Sequence, residues 1–223
     1  MIKAILFDFD GLILDTETPM FTAWQEVYEE FACKLTLEEY SSCVGGSHVH
    51  FNPFDDLAAK SGKDLPAEVI RPRVSKISRQ QIESQDALPG VRDLLKRAEK
   101  KGLQTALVSN SRRDWVEEHL GRLELLPHFE VIRTSEDGPM KPQPDLYLAA
   151  LDALEIKPEE AIALEDSPPG ILAARRAGIF VVGVPNKITR LLPLNEPDLE
   201  LTSLAEMPLP ELLEYVRRER VTL

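Results

Sequence analysis

The stretch LFDFDGLILDTE, residues 6–17, decides how the rest of the chain is read. An apolar run ends in Asp8 and Asp10, set two apart, with Asp15 five further on. The segment from Ile2 to Phe7 is apolar but for Lys3, the pattern of a strand buried on both faces. Alternation along an extended chain points Asp8 and Asp10 the same way and Phe9 the other. Carboxylates gathered at one strand end repel each other, so they call for a cation, a chemical step, or both.

Working outward, residues 17–84 have a helical texture. TAWQEVYEEFACKL, LEEYSSCV, FDDLAAKSG and PAEVIRPRVSKISRQQIES read as helices with polar connections and no strand. After ALPG (87–90) the texture changes: Val91, Leu94, Leu95 and Ala98 recur at helical spacing, and Gly102 stops the helix. The spacing then predicts strand 103–108, helix 112–121, strand 129–132, helix 144–154, strand 161–164, helix 169–177 and strand 179–184. The Pro-rich stretch 185–210 is looser, and PELLEYVRRER closes the chain as an amphipathic helix. Such alternation predicts an α/β fold, a parallel sheet with helices on both faces. The helical stretch is then an insertion, with residues 1–14 and 87–223 forming the core and 15–86 the inserted domain.

Ligands of open parallel sheets sit at the carboxyl ends of the strands. Those ends carry Asp8-Phe9-Asp10-Gly11, Ser109-Asn110-Ser111 and Glu165-Asp166-Ser167, with Lys141 of MKPQPD between the last two. Carboxylates, a hydroxyl with backbone amides and one ammonium form the inventory of a magnesium-assisted phosphoryl-transfer site. Mg²⁺ takes hard oxygen ligands, usually one or two carboxylates plus waters and a phosphate oxygen. Asp8 and Asp166 are the expected direct ligands, with Glu165 bound through water. One carboxylate must also attack phosphorus, and Asp10 is then free to protonate the leaving oxygen and later to deprotonate water. Ser109, the amides around Asn110 and Gly11, and the Lys141 ammonium are the expected partners of the phosphoryl oxygens.

These segments resemble the four motifs of the haloacid dehalogenase-like superfamily. The likeness extends to DGLILDT, LPGV, KPQPD and EDSPPGILAARRAG, and is nearest to the subgroup of metabolite phosphatases and beta-phosphoglucomutase. The resemblance implies a Rossmann-like core with an inserted all-helical cap that closes over the site. It also implies Asp8 as nucleophile, Asp10 as acid/base, Ser109 and Lys141 as phosphate binders, and Asp8 with Asp166 as metal ligands. The main-chain carbonyl of Asp10 is the further ligand it implies. Alone, each motif has an ordinary reading: a surface DxD, a strand-end serine, a solvated lysine, an acidic pair capping the next helix. Four of them in order select the catalytic one.

The expected activity is hydrolysis of a small phosphorylated metabolite, such as a sugar phosphate, through an aspartyl-phosphate. The dehalogenase branch lacks the second aspartate of the first motif, which is present here as Asp10. A phosphosugar mutase is the main alternative. Mutases of this kind carry a histidine where Met20 stands and basic residues in the cap loop, which here reads CVGGSHVHF without lysine or arginine. A non-catalytic phosphate- or partner-binding protein is the third reading, and the intact carboxylates argue against it. Thr16 and His48 are candidate substrate contacts. His50 and the basic residues Arg71, Arg73, Lys76 and Arg79 have the ordinary reading of a solvated surface.

The chain has 223 residues, 43% of them hydrophobic and 29% charged, and a formal net charge of −12. That charge disfavours nucleic acid or an anionic membrane as partner. No apolar run approaches the roughly 20 residues of a membrane span. Cys33 and Cys43 form no CxxC, which argues against a disulfide framework. A cytoplasmic location follows as the default, no signal-peptide layout being visible, and a monomer is expected rather than an obligate oligomer.

Overall fold

The computed structural model of the chain describes residues 1–43 and 51–222. Strand β1 (Ala4–Phe7) is followed by α1 (Glu17–Glu30), α2 (Leu37–Ser41), α3 (Pro53–Ser61) and α4 (Ala67–Glu83). Then come α5 (Val91–Lys100), β2 (Gln104–Val108), α6 (Arg113–Arg122), β3 (Val131–Arg133) and α7 (Asp145–Ala153). The chain continues with β4 (Ala161–Glu165), α8 (Pro168–Arg176), β5 (Phe180–Gly183), β6 (Leu199–Glu200) and α9 (Leu209–Thr222). The six strands form one parallel sheet in the order β3-β2-β1-β4-β5-β6, the doubly wound Rossmann-like arrangement.

The sheet is buried on both faces, which is why β1 reads as an uninterrupted apolar run. Ile5, Phe7, Leu107, Ile162, Leu164, Phe180 and Val182 point to one side, where α5, α6 and α9 cover them. Ala4, Leu6, Ala106, Val108, Ala161, Ala163 and Val181 point to the other, under α7 and α8. The second face is alanine-rich on the sheet and on the helices (Ala150, Ala173, Ala174), so small side chains meet there. The helices between β1 and α5 gather their own cluster from Ala23, Trp24, Val27, Tyr28, Tyr40, Leu57, Ile70 and Val74. A capping box between Thr36 and Glu39 starts α2, and the Asn52 side chain caps α3.

Two departures from the sequence reading have simple causes. The loose stretch 185–210 contains β6, whose two residues are too few to show a period. The predicted strand 129–132 is displaced to Val131–Arg133, because Leu126–His128 forms a 3₁₀ turn ahead of it.

Gly90 fixes the return from the inserted helices to the core. It opens α5 at φ +92°, and a Cβ there would lie 2.3 Å from the Leu204 carbonyl carbon and 2.4 Å from the Ala205 nitrogen. Both neighbours are backbone and cannot turn aside. Gly102 also has positive φ (+66°) but faces open space. Gly90→Ala is expected to cost about 2–4 kcal/mol, from left-handed strain plus overpacking, and to lower Tm by roughly 4–10 °C. Gly102→Ala should cost only about 1 kcal/mol. Thermal unfolding of the two variants side by side checks the difference.

Candidate active site

The register of the sheet sets the site. Phe7 of β1 pairs with Leu107 of β2 and with Leu164 of β4. The residues that follow, Asp8, Val108-Ser109 and Glu165-Asp166, therefore leave three adjacent strands at one level. A cavity of about 770 Å³ opens above them, lined by Asp8, Asp10, Ser109, Lys141 and Asp166 from this layer. Asn110 and Thr16 line it as well. Thus most of the residues singled out from sequence meet in one place; His48 and His50 lie outside the described residues.

Lys141 is the junction. Its Nζ donates to Asp8 Oδ1 (2.7 Å), to Glu165 Oε1 (2.6 Å) and to the Val108 carbonyl (2.7 Å), so all three protons are used. Burial opposes the charge of Lys141, yet Asp8 and Glu165 outweigh it and raise the ammonium above its ordinary value. Burial raises Asp8, although Lys141 pulls the other way. Glu165, fully buried, is pushed up to about 7 by the same balance, and its Oε1 also accepts from the Tyr147 hydroxyl. Asp166 is raised well above the carboxylate range by burial, then by Asp8 and Glu165.

Asp10 is held differently. Its Oδ2 accepts from the Ser111 hydroxyl (2.5 Å) and its Oδ1 from the Trp115 indole N–H (3.1 Å). Trp115 in turn packs edge-on against His119, which is completely buried, and burial lowers its pKa. Asp166 Oδ2 accepts from Asn186 Nδ2 (2.7 Å), on the loop after β5. Gly11 sits at φ +82°, and a Cβ there would lie 2.3 Å from Asp166 Oδ2. Gly170 of α8 is as confined: its Cβ would fall 1.8 Å from Glu165 Oε2. Both glycines are thus required by the closeness of backbone to a carboxylate.

The structure gives some residues tasks that the sequence reading did not. The Asn110 side chain clamps the Lys141 backbone, accepting from its N–H (2.8 Å) and donating to its carbonyl (3.1 Å), just before a cis peptide to Pro142. Ser109 Oγ accepts from the Ser111 N–H (2.9 Å). Ser167, not Glu165 or Asp166, stands at the N-cap of α8, and it makes no side-chain cap. Asp15 rather than Thr16 caps α1, accepting from Thr18 N–H (3.0 Å). Of the basic residues on α4, Arg71 reaches the cavity, while Arg73 pairs with Glu30 and Arg79 with Glu83 and Glu118. Trp115, Ser111, Asn186 and Tyr147 were not assigned roles from sequence. The strand-end rule that found Ser109 would have reached Asn186 had it been applied to β5.

Could the site hold a cation? One carboxylate oxygen each from Asp8, Glu165 and Asp166 lie within 4.8 Å of one another. Three buried carboxyl groups share one ammonium, so two negative charges stay uncompensated when all are ionised. Glu165 Oε2 is buried without a hydrogen-bond partner among the described residues. Hard oxygen donors, a deficit of two charges and an orphaned oxygen fit a divalent cation such as Mg²⁺.

The family described as "Haloacid dehalogenase-like hydrolase" matches residues 5–184. Among curated proteins, "Putative phosphatase YhcW" of Bacillus subtilis (strain 168) is 41% identical, covering 98% of this chain and 100% of its own. "Hexitol phosphatase A" of Escherichia coli (strain K12) is 32% identical over 92% of this chain and 93% of its own. A solved structure described as "putative beta-phosphoglucomutase from Thermotoga maritima" superposes with a TM-score of 0.76 at 26% identity, covering 96% of this chain and 99% of that one.

Removing the Asn110 clamp tests how Lys141 is positioned. Asn110→Ala loses two hydrogen bonds at about 1 kcal/mol each, so urea unfolding should show a stability loss of roughly 1–3 kcal/mol with an unchanged m-value. An unchanged midpoint would mean that Lys141 is held by other contacts.

Proposed function

Because the chain belongs to the haloacid dehalogenase-like hydrolase family, we propose that it is a magnesium-dependent phosphatase of small phosphorylated metabolites, acting through a phosphoryl group carried on Asp8. The observation that carries this reading is Lys141, whose one ammonium holds Asp8 and Glu165 at the mouth of β1 and β4 beside Asp166. The names of the relatives, two phosphatases and a phosphosugar mutase, favour a sugar or polyol phosphate as substrate.

Asp8, Glu165 and Asp166, with the Asp10 carbonyl, are the residues that would hold Mg²⁺. When bound, that ion supplies positive charge against the carboxylates and the phosphoryl oxygens. Lys141 orients the Asp8 carboxylate and keeps it from turning away. Asp8 attacks phosphorus, forming a P–O bond to its carboxylate as the bond to the leaving oxygen breaks. Asp10 gives its proton to that leaving oxygen. The Trp115 indole is only ever a donor, so Oδ1 must remain an acceptor. The Ser111 hydroxyl can rotate and accept, which favours Oδ2 as the oxygen that gives the proton. In the second half-reaction Asp10 takes a proton from water, which attacks phosphorus, and the P–O bond to Asp8 breaks to release inorganic phosphate. Ser109, Gly11 and the Asn110 main chain are the proposed partners of the phosphoryl oxygens.

The inserted helices serve as a cap, residues 15–86 against a core of 1–14 and 87–223, and bring Met20, Arg71 and Ile82 to the cavity. A phosphosugar mutase is the second reading, favoured by the structural likeness to the Thermotoga maritima protein. The two differ in product: a phosphatase releases inorganic phosphate, whereas a mutase returns the phosphoryl group to a second hydroxyl of the sugar.

Incubation with beta-glucose 1-phosphate, a trace of the 1,6-bisphosphate and a panel of other monoesters tests the proposal. Inorganic phosphate should accumulate with Mg²⁺, without glucose 6-phosphate, and stop on chelation. Asp8→Asn should abolish turnover, and Lys141→Ala should slow it by about 10²-fold or more. Robust turnover by Asp8→Asn would overturn the mechanism.

A further inference from the structure

The cavity holds a carboxyl that the phosphoryl-transfer steps leave unused. Glu17 is the first residue of α1, lines the cavity, and makes no hydrogen bond or ion pair with any described residue. It stands where core and inserted helices meet. Its charge helps to raise Asp166 of the core, and likewise Tyr40 of α2 and Cys43 just beyond it. Burial, then Asp10, Asp15 and Asp8, push the Glu17 carboxyl itself up to about 8. In its acid form it can donate one hydrogen bond and accept others. In that form it does not repel an incoming phosphate dianion.

Met20, Ile82 and Trp115 line the same cavity, as do Thr16 and Arg112. A hydroxyl brought here leaves water and needs a partner, and Glu17 is the carboxyl left with spare capacity. The Arg71 guanidinium reaches the same cavity, rests over the Phe54 ring at 5.1 Å, and has no ion-pair partner among the described residues. Together they offer a hydroxyl-rich group both acceptors and donors beyond the phosphoryl position.

We infer that Glu17 is the specificity-determining residue of this site, reading a hydroxyl of the leaving alcohol and so selecting sugar or polyol phosphates over esters of apolar alcohols. This rests on the phosphatase reading above. A site built to hydrogen-bond a hydroxyl rejects the analogue lacking it, because its polar groups are then stranded.

The test compares kcat/KM for hexitol 6-phosphate with that for n-hexyl phosphate, which has the same carbon chain without the hydroxyls. The wild-type protein should prefer the hexitol ester. In Glu17→Ala the ratio of the two should fall by roughly 10- to 100-fold, mainly through KM for the hexitol ester. Glu17→Gln should recover most of the ratio, since an amide also donates and accepts. A ratio unchanged in Glu17→Ala, with both esters slowed equally or neither slowed, overturns the assignment. So does a wild-type protein that hydrolyses hexyl phosphate as well as the hexitol ester, and that result leaves the phosphatase reading standing. A wild-type protein that releases phosphate from neither ester overturns the assignment, and the phosphatase reading falls with it when the monoester panel is inert as well.

Discussion

One buried ammonium organises this molecule. Lys141 is only 6% exposed, and its three protons are spent on the ends of β1, β2 and β4, through Asp8, the Val108 carbonyl and Glu165. These are neighbouring strands in the sheet, so a single side chain ties together the edge where the site is built. Burying an ion is costly unless its partners are complete, and here they are. The converse holds for the carboxylates. Asp8, Glu165 and Asp166 crowd into one desolvated place with one positive charge among them, and burial pushes all three above their ordinary values. Such an arrangement is poor for stability alone. It is well suited to a site that receives a cation and a phosphate and needs both carboxylate ligands and a carboxylate nucleophile.

Around that centre, the supporting contacts each restrict one degree of freedom. Asn110 grips the Lys141 backbone, Asn186 fixes Asp166, Tyr147 and Gly170 confine Glu165, and Ser111 with Trp115 holds Asp10. Asp10 alone among the site carboxylates accepts from two neutral side chains and no cation. That environment suits a group that must both give and take a proton, whereas Asp8 beside Lys141 suits one that must stay ionised and attack. Two aspartates two residues apart thus have different neighbours, as the two roles proposed for them require.

Much of this was legible in the sequence. Apolar runs buried on both faces identify the parallel strands, and in such a sheet the residues just past each run must converge, as Asp8, Ser109 and Glu165-Asp166 do. The helical insertion was visible because residues 17–84 carry a 3.6-residue period and no strand-like run. What escaped was what spacing does not encode. Asn110 follows a strand end, where backbone amides are expected to serve, but its side chain turns to Lys141. Trp115 and Asn186 reach the site from loops and a helix start, through rotamers that no periodicity specifies. Glu17 has the sequence setting of an ordinary first-turn acid of a helix, and only the fold shows that this first turn faces a cavity. The two-residue β6 lacks the length to show any period.

The central claim is that Asp8 carries the phosphoryl group during turnover. Rapid acid quench of the protein with excess phosphomonoester and Mg²⁺, followed by peptide mass analysis, tests it most directly. The account predicts a burst of leaving alcohol ahead of inorganic phosphate, with protein-bound phosphate on the peptide containing Asp8. Alcohol and phosphate released together with no modified peptide, or a phosphate found on any other residue, would contradict it.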